Sequence, residues 1–152
     1  MKIEKEVDLP GTPDHIWDIL LDPEQMQGIV PGMESITVVT PTEYVAQLKV
    51  KISFIKARFK LRTVIVEQNP VQFLAAEGEG EDKTVASSLK YRTEMRLDPI
   101  EPGKTRLIID TNVDVFGKIG SLGLAAMKTK VNRLWAEFGE NLSAVLLKKA
   151  NS

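Results

Sequence analysis

Apolar and polar residues alternate from the first residues of the chain. Ile3, Val7 and Leu9 share one face, and Lys2, Glu4, Glu6 and Asp8 share the other. A period of two with one polar side predicts a strand wetted on one face. Gly11 breaks it. Thr12 then offers a hydroxyl as helix N-cap, Pro13 suits the first helical position, and Asp14 lies near the positive end of the helix dipole. Ile16, Trp17, Ile19, Leu20 and Leu21 supply the apolar side of a short helix. Asp22-Pro23 repeats the start signal and predicts a second short helix over about Pro23 to Ile29, stopped by Pro31-Gly32.

From Glu34 to Phe116 the period is two almost throughout. Ile55, Ala57, Phe59 and Leu61 point one way, and Lys56, Arg58, Lys60 and Arg62 the other. Tyr44 to Ile52, Leu89 to Leu97 and Leu107 to Val115 repeat the alternation. Asn69-Pro70, Asp98-Pro99 and Pro102-Gly103 supply turns. Six strands are predicted here, seven with the first, in an antiparallel meander. The last third changes period. Ile119, Leu122, Ala126, Val131, Leu134, Trp135, Phe138, Leu142 and Val145 recur at three and four, which predicts one long amphipathic helix. Lys148-Lys149 at its end suit the negative end of the dipole. The predicted class is therefore α+β. An antiparallel sheet with one apolar face needs a cover, and the terminal helix is the only element large enough to provide it.

Composition narrows the functions. At 152 residues the chain suits a single domain, 1–152, large enough to bury roughly 70% of its unfolded surface. A net charge of −1 gives no global attraction to nucleic acid. The absence of cysteine excludes disulfides, thiolate metal sites and a cysteine nucleophile. The charged start MKIEKEVDLP does not read as a signal peptide, and no apolar run reaches a membrane-spanning length.

Four groups of residues are candidates for chemistry. Gly117, Gly120 and Gly123 sit at every third position where strand gives way to helix. They match no phosphate-loop spacing. They read as a transition that lets the helix start close to its neighbours, or as a gate at the helix end. The second group is the inward face: Phe59, Leu61, Tyr91, Met95, Ile109, Leu122, Met127 and Val131 either fill a core or line a pocket. Tyr91 and Thr93 would be its polar anchors, because a buried hydroxyl needs a partner. The third group is catalytic, and it is thin. His15 is the single histidine, expected exposed on the first helix; no His or acidic set has metal spacing. Glu77 is one carboxylate that an inward orientation would place in the core. No catalytic residue, metal site or cofactor is assigned. The fourth group is a basic ladder, Lys56, Arg58, Lys60 and Arg62, on the outer sheet face. It reads as a solvated face, or as a docking surface for an acidic protein or anionic lipid.

The blocks LPGTPDHIWDILLDPEQMQGIVPGMESI (9–36), VAQLKVKISFIKARFKLRTVIVE (45–67), GEGEDK (78–83) and VDVFGKIGSLG (113–123), in this element order, resemble the helix-grip superfamily of START-like (SRPBCC) domains. Within it they resemble the family named for the G subunit of carbon monoxide dehydrogenase. Gly28-Ile29-Val30 before the Pro-Gly turn and Asp82-Lys83-Thr84-Val85 after the Gly-Glu-Gly depart from the family's usual residues. Some members carry a C-terminal apolar anchor, and none precedes Ser152. The resemblance implies a curved seven-stranded sheet gripping the terminal helix, with a cavity between them. It implies a non-enzymatic protein that binds a quinone or lipid, accessory to a molybdenum hydroxylase. The cavity would then be lined by the inward residues above together with Trp17, Met26 and Phe73. Cytoplasmic location with peripheral contact at the inner membrane face follows as an expectation. A polyketide cyclase and a closed-core interaction module using the basic face stand as the alternatives.

Overall fold

The computed structural model describes residues 1–150, with side chains through residue 148. Strand β1 (Lys2–Pro10) is followed by helices α1 (Pro13–Leu20) and α2 (Pro23–Ile29). Strands β2 (Met33–Thr40), β3 (Glu43–Ile52), β4 (Ile55–Asn69), β5 (Phe73–Asp82), β6 (Ser87–Glu101) and β7 (Lys104–Gly117) come next, and α3 (Leu124–Ala150) ends the chain. Both short helices start as expected. The Thr12 hydroxyl accepts from the His15 amide, and the Asp22 carboxylate accepts from the Glu24 and Gln25 amides, each with proline at the start of the helix.

The seven strands form one antiparallel sheet in the order β1-β7-β6-β5-β4-β3-β2. The first two strands in sequence are thus opposite edges, and α1 with α2 must cross from one edge to the other. Curvature of the sheet shortens that crossing. Its sources are local. Register shifts interrupt β2 at Met33/Ser35 and Val38/Thr40, β4 at Ile65/Glu67 and β6 at Pro99/Glu101, and each such bulge bends its strand. Gly78 and Gly80 add close approaches on β5, where a Cβ would lie 2.4 Å from Tyr91 Cε1 and from Leu61 Cδ2 respectively.

Helix α3 has 27 residues and is about 40 Å long at 1.5 Å per residue. Its second half packs on the sheet: Phe138, Leu142 and Leu146 are buried with Leu9, Ile16, Trp17, Ile109 and Leu107 in one core cluster. Gly139 lets this half lie close to β1, since a Cβ there would be 3.2 Å from Val7 Cγ2. The Asn141 side chain donates to the Ile29 carbonyl and ties α3 to α2. A second cluster, Val50, Ile55, Ala57, Phe59, Leu61 and Ile119, lies toward the start of α3.

The structure corrects the predicted helix start. Ile119 and Leu122 precede α3; Leu122 closes a 3-10 turn (Gly120–Leu122), and Gly123 at φ 101° separates the turn from the helix. A 3-10 turn also repeats its faces every three residues, so apolar spacing alone does not separate the two. Lys148 lies at the helix end as expected, while the side chain of Lys149 lies outside the described residues. No helix among the described residues is long and apolar enough to cross a membrane.

Candidate functional site: a cavity between helix and sheet

The two core clusters do not meet. Between them, under the first half of α3, lies a cavity of about 340 Å³, at the lower end of the range for small-molecule sites. All three helices and every strand except β1 contribute to its wall. Met26 comes from α2 and Val30 from the cap that follows it, Met33 and Ile36 from β2, Ala46 and Val50 from β3. Phe59, Leu61, Ala76, Tyr91, Thr93 and Met95 come from the middle strands, and Val131, Leu134, Trp135 and Phe138 from α3. On β5 the small inward residue Ala76 leaves room at the wall, where a large side chain would take up part of the space. The next inward positions, Gly78 and Gly80, are covered by the Tyr91 ring and the Leu61 side chain.

The polar atoms of the wall are mostly engaged with one another. The Tyr91 ring lies over Gly78, and its hydroxyl bonds the Thr63 hydroxyl. Burial raises the Tyr91 pKa, and the bond to Thr63 partly opposes that shift. The Thr93 and Thr111 hydroxyls bond each other at 2.8 Å. The Tyr44 hydroxyl donates to the Pro41 carbonyl at 3.1 Å, and burial raises its pKa. Among the described residues one charged side chain lines the cavity, Lys130 on α3.

Seven of the twelve side chains anticipated on the cavity wall are there: Met26, Phe59, Leu61, Tyr91, Thr93, Met95 and Val131. Five lie elsewhere. Trp17 and Ile109 are buried in the core cluster beyond the cavity floor. Phe73 is on the other face of β5, because Leu74 and Ala76 point inward; the Arg96 guanidinium stacks on its ring at 5.2 Å. Leu122 packs in the turn before α3 against the second cluster. Met127 is buried one turn nearer the helix start than Val131, outside the wall. Sequence reasoning passed over Leu134, Trp135 and Lys130. The first two were legible as part of the helical stripe. The third was not, because a lysine in an amphipathic helix is ordinarily assigned to solvent.

His15 is partly buried on α1 rather than exposed, and does not line the cavity. Glu77 points outward and pairs with Arg92 at 2.7 Å. The described residues contain no cluster of His, Asp or Glu able to hold a metal. Each glycine of the strand-to-helix turn has a local reason. A Cβ on Gly117 would lie 2.0 Å from the Ala86 carbonyl oxygen, and one on Gly120 2.6 Å from that of Val115. Gly123 has open space but φ 101°, which side chains disfavour. None of the three lines the cavity, though Ile119 of the same turn does. The Ser87 hydroxyl fixes that turn by accepting from the Ile119 amide and donating to the Val85 carbonyl.

The basic ladder is interleaved with acids. Arg58 pairs with Glu34 at 2.6 Å and Arg62 with Glu43 at 3.0 Å across the sheet. The hydrogen bond from Arg62 holds Glu43 below the usual carboxylate range, and the glutamates raise both arginines. Lys56 and Lys60 stay on the same face without an ion pair among the described residues.

The sequence matches CoxG, the family of the carbon monoxide dehydrogenase G subunit, over residues 6–147. No curated protein matches it. Among solved structures, a conserved protein from Geobacillus kaustophilus superposes with a TM-score of 0.91 at 20% identity, covering 97% of this chain and 96% of that one. A START superfamily protein from Mycobacterium smegmatis gives 0.74 at 13%, covering 97% of each chain. The Zhui aromatase/cyclase from Streptomyces sp. R1128 gives 0.73 at 16%, covering 99% of this chain and 95% of that one. The shared architecture is the START-like helix-grip fold.

Proposed function

This chain belongs to the CoxG family, that of the carbon monoxide dehydrogenase G subunit, and from that premise we propose that it binds a hydrophobic small molecule without transforming it. The ligand is a quinone or lipid held between α3 and the sheet. One observation carries the proposal: an apolar hollow of about 340 Å³ separates two otherwise continuous core clusters. A void of that size forfeits dispersion contacts on every side, and a ligand would restore them. The volume equals roughly eleven water molecules at liquid density. A quinone ring or a medium-length alkyl chain suits it, and a long isoprenoid tail would exceed it.

The proposed setting is accessory: the protein delivers or receives the ligand beside a molybdenum hydroxylase or another acidic protein partner. Lys56 and Lys60, with Arg58 and Arg62 beside them, are the proposed contact face. The proposed location is cytoplasmic, with peripheral contact at the inner membrane face.

The second reading is an enzyme of the aromatase/cyclase type, supported by the shared fold and by the paired hydroxyls of the wall. General acid–base chemistry needs a group that can trade a proton near neutrality. Among the described residues the wall includes no histidine and no carboxylate, which favours the carrier.

Native mass spectrometry of the purified protein, followed by organic extraction, tests the proposal. About one quinone or lipid per chain is the expected result. A bare protein mass that added quinones and lipids leave unchanged would overturn it. Incubation with a poly-β-carbonyl analogue separates the second reading, because an enzyme would release water and leave a product lighter by that mass.

A further inference from the structure

Among the described residues, the charge of the cavity wall is concentrated in a single side chain, Lys130. The hydroxyls of the wall bond one another, Tyr91 with Thr63 and Thr93 with Thr111; each pair keeps hydrogen-bonding capacity for a ligand but carries no charge. Lys130 has no such partner. It is half-buried on the cavity wall, and it pairs with no carboxylate among the described residues. A lysine stem lies readily along apolar surface with its ammonium at the edge, which puts a positive charge at the rim of an apolar hollow.

The surrounding chain reinforces that charge. Residues 115–136 include Lys118, Lys128, Lys130 and Arg133 and no acidic residue; the next acid is Glu137. The protein as a whole is nearly neutral at −1, so this excess is local to the segment that carries Lys130, and a local positive excess favours anions near it. The cavity wall also has a direction. Along α3 it runs from Lys130 through Val131, Leu134 and Trp135 to Phe138, about 12 Å at 1.5 Å per residue. Charge stands at one end. At the other, Phe138 joins the core cluster with Leu142 and Leu20.

We propose that the ligand is an anionic amphiphile, a carboxylate on an alkyl or aryl body, whose head pairs with Lys130 while its body lies along α3 toward Phe138. This rests on the binding function proposed above and narrows its ligand class. A neutral quinone or alcohol would fill the same hollow without using the charge.

The test compares decanoate with decanol, a probe pair that shares a chain and differs in head charge. Binding to the full-length protein is read by calorimetry, for the wild type and for Lys130→Met and Lys130→Arg. Decanoate is expected to bind the wild type more tightly than decanol. Lys130→Met should weaken decanoate about tenfold, the scale of a lost charge-assisted bond, and change decanol far less. Lys130→Arg should retain most of the preference. Equal affinity for the two probes in the wild type would overturn the proposal while leaving the cavity function standing, and so would a Lys130→Met loss shared equally by both. Binding of neither probe by any form would overturn the anionic-ligand proposal and count against the cavity function as well. Circular dichroism melting of each variant separates loss of the charge from loss of the fold.

Discussion

At Gly78 one missing methyl group decides how a neighbouring ring lies. A Cβ there would sit 2.4 Å from Cε1 and Cζ of Tyr91, so Gly78→Ala must push the ring off the strand, into the cavity, and break its bond to Thr63. The variant should lose about 1–3 kcal/mol, as overpacked sites do, and bind decanol more weakly; urea titration and calorimetry read the two effects. A second residue-scale effect lies at Asp82. Its carboxylate accepts from the Thr84 hydroxyl and amide and from the Arg58 amide at 2.7 Å. Those bonds, the Thr84 hydroxyl first, hold its pKa below the ordinary carboxylate value. A depressed folded pKa means that this stability is complete above the unfolded pKa and is lost as pH falls through the folded one. Asp82→Asn should therefore be less stable than wild type at neutral pH. It should also lose less on acidification between about pH 5 and pH 2. Parallel acid slopes in denaturant titrations would show that Asp82 contributes nothing to that loss.

At the scale of elements, the turn between β7 and α3 is the most constrained connection. It must reverse from the end of β7 onto the helix within six residues, 118–123, and it does so with backbone atoms in near contact. Gly117 combines φ 84° with the Ala86 carbonyl 2.0 Å from any added Cβ, whereas Gly123 meets only a conformational penalty. Gly117→Ala should accordingly cost more than Gly123→Ala, about 3 kcal/mol or more against about 1–2, measured by urea unfolding. A reversed order would mean that the turn at Ala86, just before β6, yields easily. The proposed gate at this helix end needs a probe other than alanine, because alanine disturbs the turn before it tests exchange. The start of α3 shows where pattern reading stops. A run of Ile119, Leu122 and Ala126 fits a helix and fits a 3-10 turn followed by a helix, and only the left-handed Gly123 separates them.

For the whole molecule, the cavity is a cost in stability that ligand binding offsets. Ala76 faces into it from β5, so Ala76→Leu should fill part of the hollow. Unfolding free energy without ligand should rise by about 1 kcal/mol, and the rise in Tm that decanoate or decanol produces in the wild type should vanish. A retained ligand shift would place the bound molecule elsewhere. Much of this molecule was legible without coordinates. Period two placed Phe59 and Leu61 inside, Thr12-Pro13 and Asp22-Pro23 started two helices, and a change to period 3.6 announced the long one. These are local signals, carried by neighbours in sequence and by the backbone geometry each residue type prefers. The tertiary structure decided what no local signal contains. It made edges of β1 and β2, set Trp17 and Ile109 in solid core but Met95 on a cavity wall, paired Arg58 with Glu34, and turned Lys130 toward the hollow. Each of these depends on which distant surfaces meet and how completely they fill the space between them, and periodicity records only which face of an element is turned inward.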